Sequence, residues 1–432
     1  MAEGRRAELT GGGYDRVLLL VPDPHARFAA TELSADFVRD TVLRDGYGAC
    51  TYLFAWDVER QPVDSPALAP FLGGYGDLLL RPDLASLLPL DHDEVAVVCD
   101  AEWPNGAPVD IAPRQILRAQ LCAAERLGLV PSIGLEHEVT FRDTRGRPLT
   151  EHGIDYALGG TASMAPLLAA IRASTGQLAV ESARAECHPG QYEIVLRHRD
   201  ALGACDDAML LQHLIRRAAA EHDVQASYLA AEETGQGNSC HVHLSLSELD
   251  SESADDGPAQ RVSQDHDLDR HRSLGHFLAG VLAAAADLSA IWAPTVNSYV
   301  RLRTAPFSPR SVRWGWDDRT AAVRLVGRGG SLRLECRFAG ADAQPHLVVA
   351  ALLAAGLAGV RQELSPPEPG VVVGELAGTP WEALRRLTDA RIPRELLGEP
   401  VVAAQAALLG AELDSLCETV SDTQRRRGAM RA

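Results

Sequence analysis

The sequence of 432 residues contains no lysine, so each of its 41 basic residues is an arginine. Any side chain that binds a phosphate or a carboxylate through a permanent positive charge must therefore use the planar guanidinium group, with protonated histidine as the other cation. Acidic residues are more numerous, at 59, and the net charge is −18. This balance argues against nucleic acid as a partner and permits attraction of cationic substrates.

The sequence also gives no indication of disulfide pairs or of a membrane span. The eight cysteines form no C-x-x-C pair, and Cys99, Cys122 and Cys336 lie in apolar runs, which predicts reduced, buried thiols. The best membrane-span candidate, residues 347–360, falls short of the roughly 18 residues that a span requires. We expect a buried helix there, no membrane partner and, because no targeting segment is visible, a cytoplasmic location.

The composition sets limits on the architecture. With 46% hydrophobic residues, the chain can bury a large core and is long enough for two domains. A proline-containing link at 110–113 precedes a helical pattern at 114–127, which places a domain boundary there. The polar segment 248–272 is predicted to be a mobile surface insertion.

Acidic residues recur at strand spacing in three stretches, with a histidine run between them. In an extended strand successive side chains point to opposite faces, so Glu136 and Glu138 share one face roughly 7 Å apart. The alternate positions are mostly apolar, and the tripeptide PGQ predicts the turn of a hairpin that joins Glu186 to Glu193. The stretches are GLEHEVTF at 134–141, ESARAECHPGQYEI at 181–194, GNSCHVHLSL at 237–246 and LECRFAGAD at 334–342.

Each stretch alone has an ordinary explanation, because E-x-E is common on solvated sheet faces and paired strand histidines are often surface or core residues. The combination instead predicts several strands that direct polar side chains into one cavity. Five acids and a histidine in one space would repel each other strongly unless cations lay between them. Carboxylate oxygens with few nitrogens favour Mg²⁺ or Mn²⁺ over a structural zinc ion.

The order of these stretches resembles the glutamine synthetase family. The resemblance extends over most of the chain, and it continues in NSYVRL at 297–302, WGWDDRTAAVRL at 314–325 and GADAQPHL at 340–347. It implies an α+β fold with a small N-terminal β-grasp-type domain at 14–111. A catalytic domain at 112–432 would carry a curved antiparallel sheet backed by helices.

The resemblance also implies a reaction. Enzymes of this family phosphorylate the γ-carboxylate of glutamate from ATP and then let an amine attack the acyl phosphate. Two or more Mg²⁺ or Mn²⁺ ions and several arginines stabilise the charge on the phosphoryl oxygens. The implied assembly is a homo-oligomer, a hexameric ring or a stacked dodecamer, in which the N-terminal domain of one subunit completes the site of its neighbour.

The family's site residues match this sequence at fourteen positions, and at a fifteenth, Phe307, the sequence differs. The ligands of one metal ion correspond to Glu138, Glu186 and Glu193, and those of the other to Glu136, His241 and Glu335. Nucleotide contacts correspond to Glu181, His243, Ser245, Arg319 and Arg324. Substrate contacts correspond to Gly237, Arg301 and Arg337, with Phe307 at the amine, and Arg301 and Arg319 are the expected catalytic arginines.

Departures from the family pattern indicate which kind of amine the enzyme uses. Six residues after Arg301, where ammonia-using members carry a glutamate, this sequence has Phe307. An aromatic ring cannot accept the ammonium proton and would line a larger, apolar pocket, as in the γ-glutamylpolyamine and γ-glutamylamide ligases. Ala231 and Gln236 replace the usual lysine and asparagine, and 45–50 is the candidate for the N-terminal D-G-S loop.

Other functions stay open at this point. They are an ammonia-using glutamine synthetase, a secondary-metabolite amide ligase with another acid, and a catalytically silent structural or regulatory homologue. A phosphagen-kinase-like activity rests on architectural analogy alone. Retention of all six metal-ligand positions argues against the silent homologue, because unfilled carboxylate clusters destabilise a fold.

Overall fold

The structure is a computed structural model that describes residues 7, 9, 11–90, 93–152, 155–158, 162, 164–248, 268–429 and 431. Most of the insertion predicted at 248–272 lies outside the described residues.

A six-stranded mixed sheet forms the N-terminal part, in the order β2-β1-β6-β4-β3 with β5 beside β6. Only β1 and β6 are parallel among its pairs. Its strands are β1 Arg16–Pro22, β2 Phe28–Ser34, β3 Tyr47–Cys50, β4 Asp77–Pro82, β5 Leu88–Pro89 and β6 Glu94–Glu102. Strand β6 is apolar on both faces, since Val95 and Val97 enter the N-terminal core while Ala96 and Val98 face the second sheet. Helical segments α1 at 35–45 and α2 at Ala69–Leu72 complete this part.

The second sheet has nine strands around the fifteen-residue strand β7, in the order β14-β15-β16-β12-β7-β9-β8. It curls into a half-barrel and is antiparallel except between β14 and β15, which agrees with the predicted fold class. Its strands are β7 Leu129–Asp143, β8 Val180–Ala185, β9 Gln191–Leu196, β10 Arg199–Asp200, β11 Val224–Ser227, β12 Cys240–Glu248, β14 Trp314–Trp316, β15 Val323–Val326 and β16 Arg333–Cys336. A separate pair consists of β13 Ser311–Val312 and β17 Gly374–Glu375.

The helices that follow the N-terminal part include several that back this sheet. They are α3 Pro113–Glu125, α4 Ala165–Ser174, α5 Ala201–Ala220, α6 Arg272–Ala284, α7 Ser289–Trp292, α8 Val296–Thr304, α9 Pro345–Arg361, α10 Pro380–Asp389, α11 Arg391–Leu397, α12 Glu399–Glu418 and α13 Asp422–Ala429. Helix α9 packs against α3 and α6 and is buried over most of its length, which confirms the buried helix predicted at 347–360.

One helical run, Glu399–Ala429, is long and apolar enough to cross a membrane by length and composition. Core helices of soluble proteins pass the same test, so this is weak evidence for a span. Several of its apolar side chains pack inside the protein. Val401 and Leu409 join the core of the second sheet, whereas Ala404 and Leu408 join that of the N-terminal sheet.

The cysteines agree with the sequence prediction in part. All eight are free thiols, and Cys99 and Cys336 are buried. Cys122 is exposed, contrary to the prediction, because its apolar run is one turn of the amphipathic helix α3 and this residue falls on the solvent face.

Candidate active site

Strand register brings the predicted side chains to one face of the second sheet. His241 on β12 lies opposite Glu136 on β7, and His243 lies opposite Glu335 on β16. Glu138 lies opposite Glu193 on β9. Because directly opposed residues of neighbouring strands point to the same face, four strands contribute to one polar surface.

This surface is the floor of a cavity of about 580 Å³. Its wall includes most of the predicted site residues: Glu136, Glu138, Glu186, Glu193, Gly237, His241, His243, Arg301, Phe307, Arg319, Arg324, Glu335 and Arg337. Glu181 and Ser245 are not on this wall. Glu181 is exposed at a bulge in β8 and pairs with Arg197, and Ser245 lies one pleat beyond His243, opposite Ser132. Their nucleotide contacts stay predictions.

Two groups of donor atoms could each hold a metal ion. Glu136, His243 and Glu335 form one, and Glu136, Glu193 and His241 form the other, with the donor atoms of each group within 4.8 Å of one another. His243 Nε2 is buried and lies 3.0 Å from Glu136 Oε1. Oxygen donors with one imidazole per group fit Mg²⁺ or Mn²⁺.

This grouping differs from the one that the family resemblance implied. Glu136 belongs to both groups, whereas Glu138 and Glu186 belong to neither. Glu138 Oε2 instead accepts hydrogen bonds from Ser239 N at 2.7 Å and from Gln191 Nε2 at 3.0 Å. The assignment of individual ligands to the two ions therefore stays a prediction.

The carboxylates of the cavity titrate differently. Burial alone would raise the pKa of Glu136, but the interactions with His241 and His243 hold it well below its ordinary value. Burial raises the pKa of Glu193 to about 9, and the nearby charge of Glu136 adds to this, while Arg184 opposes it. A cation bound by Glu193 must displace its proton, so cation binding weakens as the pH falls.

Arginines already supply part of the positive charge that the acids require. Arg184 lies 2.8 Å from Glu186 Oε1 and 2.9 Å from Glu193 Oε1. Glu335 is paired on both sides, with Arg324 at 2.8 Å and with Arg337 at 2.5 Å. The repulsion expected from the sequence is therefore reduced even before a metal ion binds.

The wall residues that the sequence reasoning missed include three whose side chains contact predicted site residues, Arg184, Arg333 and Gln191. Arg184 and Arg333 each stand two residues before a predicted acid, Glu186 just after the end of β8 and Glu335 within β16, so strand alternation could have placed them on the same face as that acid. Arg333 Nε donates to His243 Nδ1 at 3.1 Å, which turns the other ring nitrogen toward Glu136. Gln191, the third, carried no such signal, because its role comes from the register between β7 and β9.

Gln191 ties the acidic surface to the substrate loop. Its buried Nε2 lies 3.0 Å from Glu138 Oε2 and 2.8 Å from the carbonyl oxygen of Gly237. Gly237 in turn packs closely on helix α8, since an added Cβ would approach Ala305 Cβ at 2.9 Å and Arg301 Cγ at 3.0 Å. A larger residue at 237 would therefore displace the loop from the cavity wall.

Arg301 and Arg337 have unused capacity to bind an anion. The Arg301 side chain is buried, and its guanidinium donates to the backbone carbonyls of Phe338 at 2.9 Å and Arg337 at 3.4 Å. No carboxylate lies within ion-pair distance of it in the described part of the chain, and burial lowers its pKa. Arg337 Nε is buried and likewise without a partner there. A substrate carboxylate would satisfy both groups.

Phe307 is the apolar element of the wall. It follows helix α8, and the residue is 64% exposed. The other departures from the family pattern, Ala231, Gln236 and the segment 45–50, are not on the wall that the described residues form.

Comparison with known proteins agrees with this fold. The family model for the glutamine synthetase catalytic domain matches residues 110–427. The gamma-glutamylethanolamide synthetase GlnA4 of Streptomyces coelicolor is 37% identical over 449 aligned residues, covering 98% of this chain and 95% of that protein. The glutamate–isopropylamine ligase of a Pseudomonas species is 32% identical, with 82% and 80% covered.

A solved structure described as a GmaS/ADP complex aligns over 99% of both chains, with a TM-score of 0.82 at 24% identity. This likeness concerns the fold alone. The sequence matches assign the class of protein, and the fold agrees with them. The chain belongs to the glutamine synthetase family.

Proposed function

We propose that this protein is an ATP-dependent ligase that joins the γ-carboxylate of glutamate to an organic amine through a γ-glutamyl phosphate. Family membership and the names of the two relatives, an ethanolamide synthetase and an isopropylamine ligase, support this reaction. The observation that carries the choice of amine is the position of Phe307. Its exposed ring lies on the wall of the same cavity as the acidic cluster.

Different residues of the cavity wall would bind the metal ions, ATP and glutamate in this reaction. Two or more Mg²⁺ or Mn²⁺ ions would be held by Glu136, Glu138, Glu186, Glu193, His241 and Glu335, and when bound they would neutralise charge on the phosphoryl oxygens. Arg319 and Arg324 would contact the phosphates of ATP. Arg301 and Arg337 would bind the carboxylate of glutamate with their unpaired donors.

An amine panel tests the proposal. Purified protein is assayed with ATP, glutamate and one amine at a time, comprising ammonium, methylamine, ethanolamine, isopropylamine, putrescine and spermidine, with ADP release and product mass as readouts. We expect an organic amine to exceed ammonium in kcat/KM by about tenfold or more, because an apolar wall discriminates by roughly 1–3 kcal/mol.

The substitution Phe307→Glu tests whether the ring causes this preference. It should lower use of the organic amine by about tenfold and narrow the gap to ammonium, because a charge replaces the apolar wall. Phe37→Glu is the matched control, since Phe37 is an exposed aromatic outside the cavity. If the wild type uses ammonium best, or if both variants keep the wild-type amine ranking, glutamine synthesis becomes the better assignment.

We further propose that activity requires a homo-oligomer, a hexameric ring or a stacked dodecamer. No residue before Glu136 lines the described wall of the cavity, as expected if the N-terminal part of a neighbouring subunit completes the site. Sedimentation during an activity titration tests this, and a fully active monomer would contradict it.

We place the enzyme in the cytoplasm, where ATP and glutamate are available, and cell fractionation tests that location.

A further inference from the structure

A second cavity, of about 450 Å³, lies where the β1–β2 turn, helix α5 and helix α12 meet. Among the described residues, none lines both this cavity and the acidic one. The volume is within the range of roughly 300–1,000 Å³ that is usual for small-molecule sites. Nothing in the proposed ligase reaction uses this cavity.

Two hydrogen-bond donors on one wall lack acidic partners. Gln212 and Arg216 stand four residues apart on α5, so they share one helix face. Gln212 is 2% exposed, and its Nε2 has no hydrogen-bond partner among the described residues. Arg216 stacks on the ring of Tyr228 at 4.7 Å and forms no ion pair within the described part of the chain. An amide and a guanidinium side by side can both donate hydrogen bonds to one carboxylate.

Acceptors come from other elements of the wall. Asp342 Oδ2 accepts hydrogen bonds from Thr295 Oγ1 at 2.8 Å and from Ser298 Oγ at 2.7 Å, while its buried Oδ1 has no partner among the described residues. Glu412 on α12 is half-buried, and burial together with the nearby charge of Glu59 raises its pKa. Both carboxyl groups would be stabilised by a cationic ligand group.

The rest of the wall is largely apolar and includes Val58, Leu229, Leu408 and Leu409. We propose that this cavity binds a small zwitterion with an apolar body, that is, an α-amino acid or a derivative of one. Its carboxylate contacts Gln212 and Arg216, and its ammonium group contacts Asp342 or Glu412. A ligand with a single charge would satisfy only the two donors, Gln212 and Arg216, or only the two carboxyl groups.

Isothermal titration calorimetry on the full chain tests this site with three probes that share one apolar body. They are L-leucine, 4-methylpentanoate, which lacks the ammonium group, and 3-methylbutylamine, which lacks the carboxylate. Leucine should bind saturably and at least tenfold more tightly than either analogue. Arg216→Met and Gln212→Leu should each weaken leucine binding at least tenfold. Arg217→Met is the matched control, because Arg217 pairs with Glu221 and lies off the cavity wall.

The outcomes are separable from those of the ligase proposal, since the titrations contain no ATP and no glutamate. Arg337→Met should leave leucine binding unchanged, and a loss in that variant would place leucine in the acidic cavity and overturn the inference. Equal binding of leucine and 4-methylpentanoate, or no saturable binding, would also overturn it. A loss of leucine binding in Arg216→Met together with a change in its sedimentation coefficient would also overturn the inference. Such a result would mean that the substitution disturbs an interface with a second copy of the chain that covers the cavity.

Discussion

Glu136→Gln should lower kcat roughly 10³-fold, because metal ions at such sites supply several kcal/mol of transition-state stabilisation. Glu136 is the one residue that both donor groups share among the described residues. Replacing its carboxylate by a neutral amide of the same shape weakens both groups together. The assay is ADP release at saturating ATP, glutamate and amine, with Mn²⁺ binding followed by calorimetry.

The control for this variant is Glu233→Gln. Glu233 is an exposed acid that pairs with Arg142 and lies off the cavity wall, so its loss should leave both turnover and Mn²⁺ binding near the wild-type values. Without metal, Glu136→Gln should keep the circular dichroism spectrum of the folded wild type, with a lower thermal midpoint because the contacts of the carboxylate with His241 and His243 are lost. Full turnover of Glu136→Gln, or of the wild type in EDTA, would show that the acidic cluster is not a metal site.

Arg114→Met is expected to lower the free energy of unfolding by about 3–5 kcal/mol, since it would leave the buried Asp206 without its arginine, while Asp83 and Asp100 would keep only Arg118. The Arg114 side chain is 3% exposed and lies 2.7 Å from Asp83, 2.5 Å from Asp100 and 2.9 Å from Asp206. Two of these acids belong to the N-terminal sheet region and the third to helix α5. The substitution therefore removes the charge that joins the two parts. Urea unfolding at a fixed protein concentration measures the change.

Arg118→Met is the matched control for this effect. Arg118 contacts Asp83 and Asp100 at 2.8 Å each, but its side chain is 37% exposed and it does not reach Asp206. Its loss should cost no more than about 1 kcal/mol. Similar losses in the two variants would refute the argument from burial.

The pH dependence of the Arg114 contribution has a definite sign. Burial alone would raise the pKa of Asp206, but Arg114 and His346 hold it below its ordinary value, and Arg114 does the same for Asp83. Groups with a depressed folded-state pKa stabilise the fold above their unfolded value of about 4 and lose that contribution as the pH falls. The difference between wild type and Arg114→Met should therefore be largest near neutral pH and shrink on acidification.

Much of the site could be predicted from the sequence because strand periodicity is a local property. Glu136 and Glu138 alternate with apolar neighbours, and the structure places both on the cavity wall. The hairpin predicted at PGQ connects β8 to β9. There Gly190 adopts a positive φ of 72°, and an added Cβ would meet the carbonyl oxygen of Phe141 at 2.5 Å. The strand faces and the position of the turn need no knowledge of distant residues, whereas the close approach of Gly190 to Phe141 does.

By itself, then, the sequence determined the strand faces, the buried helix α9, the family and the residues expected at its site. Only the tertiary structure decided which acids become neighbours, because β-sheet register depends on hydrogen bonds between segments far apart in the chain. Register sets Glu193 against Glu138 and His243 against Glu335, and it brings Arg184 between two acids. The second cavity is non-local in the same way, since its wall comes from seven separate stretches of the chain whose approach is set by core packing.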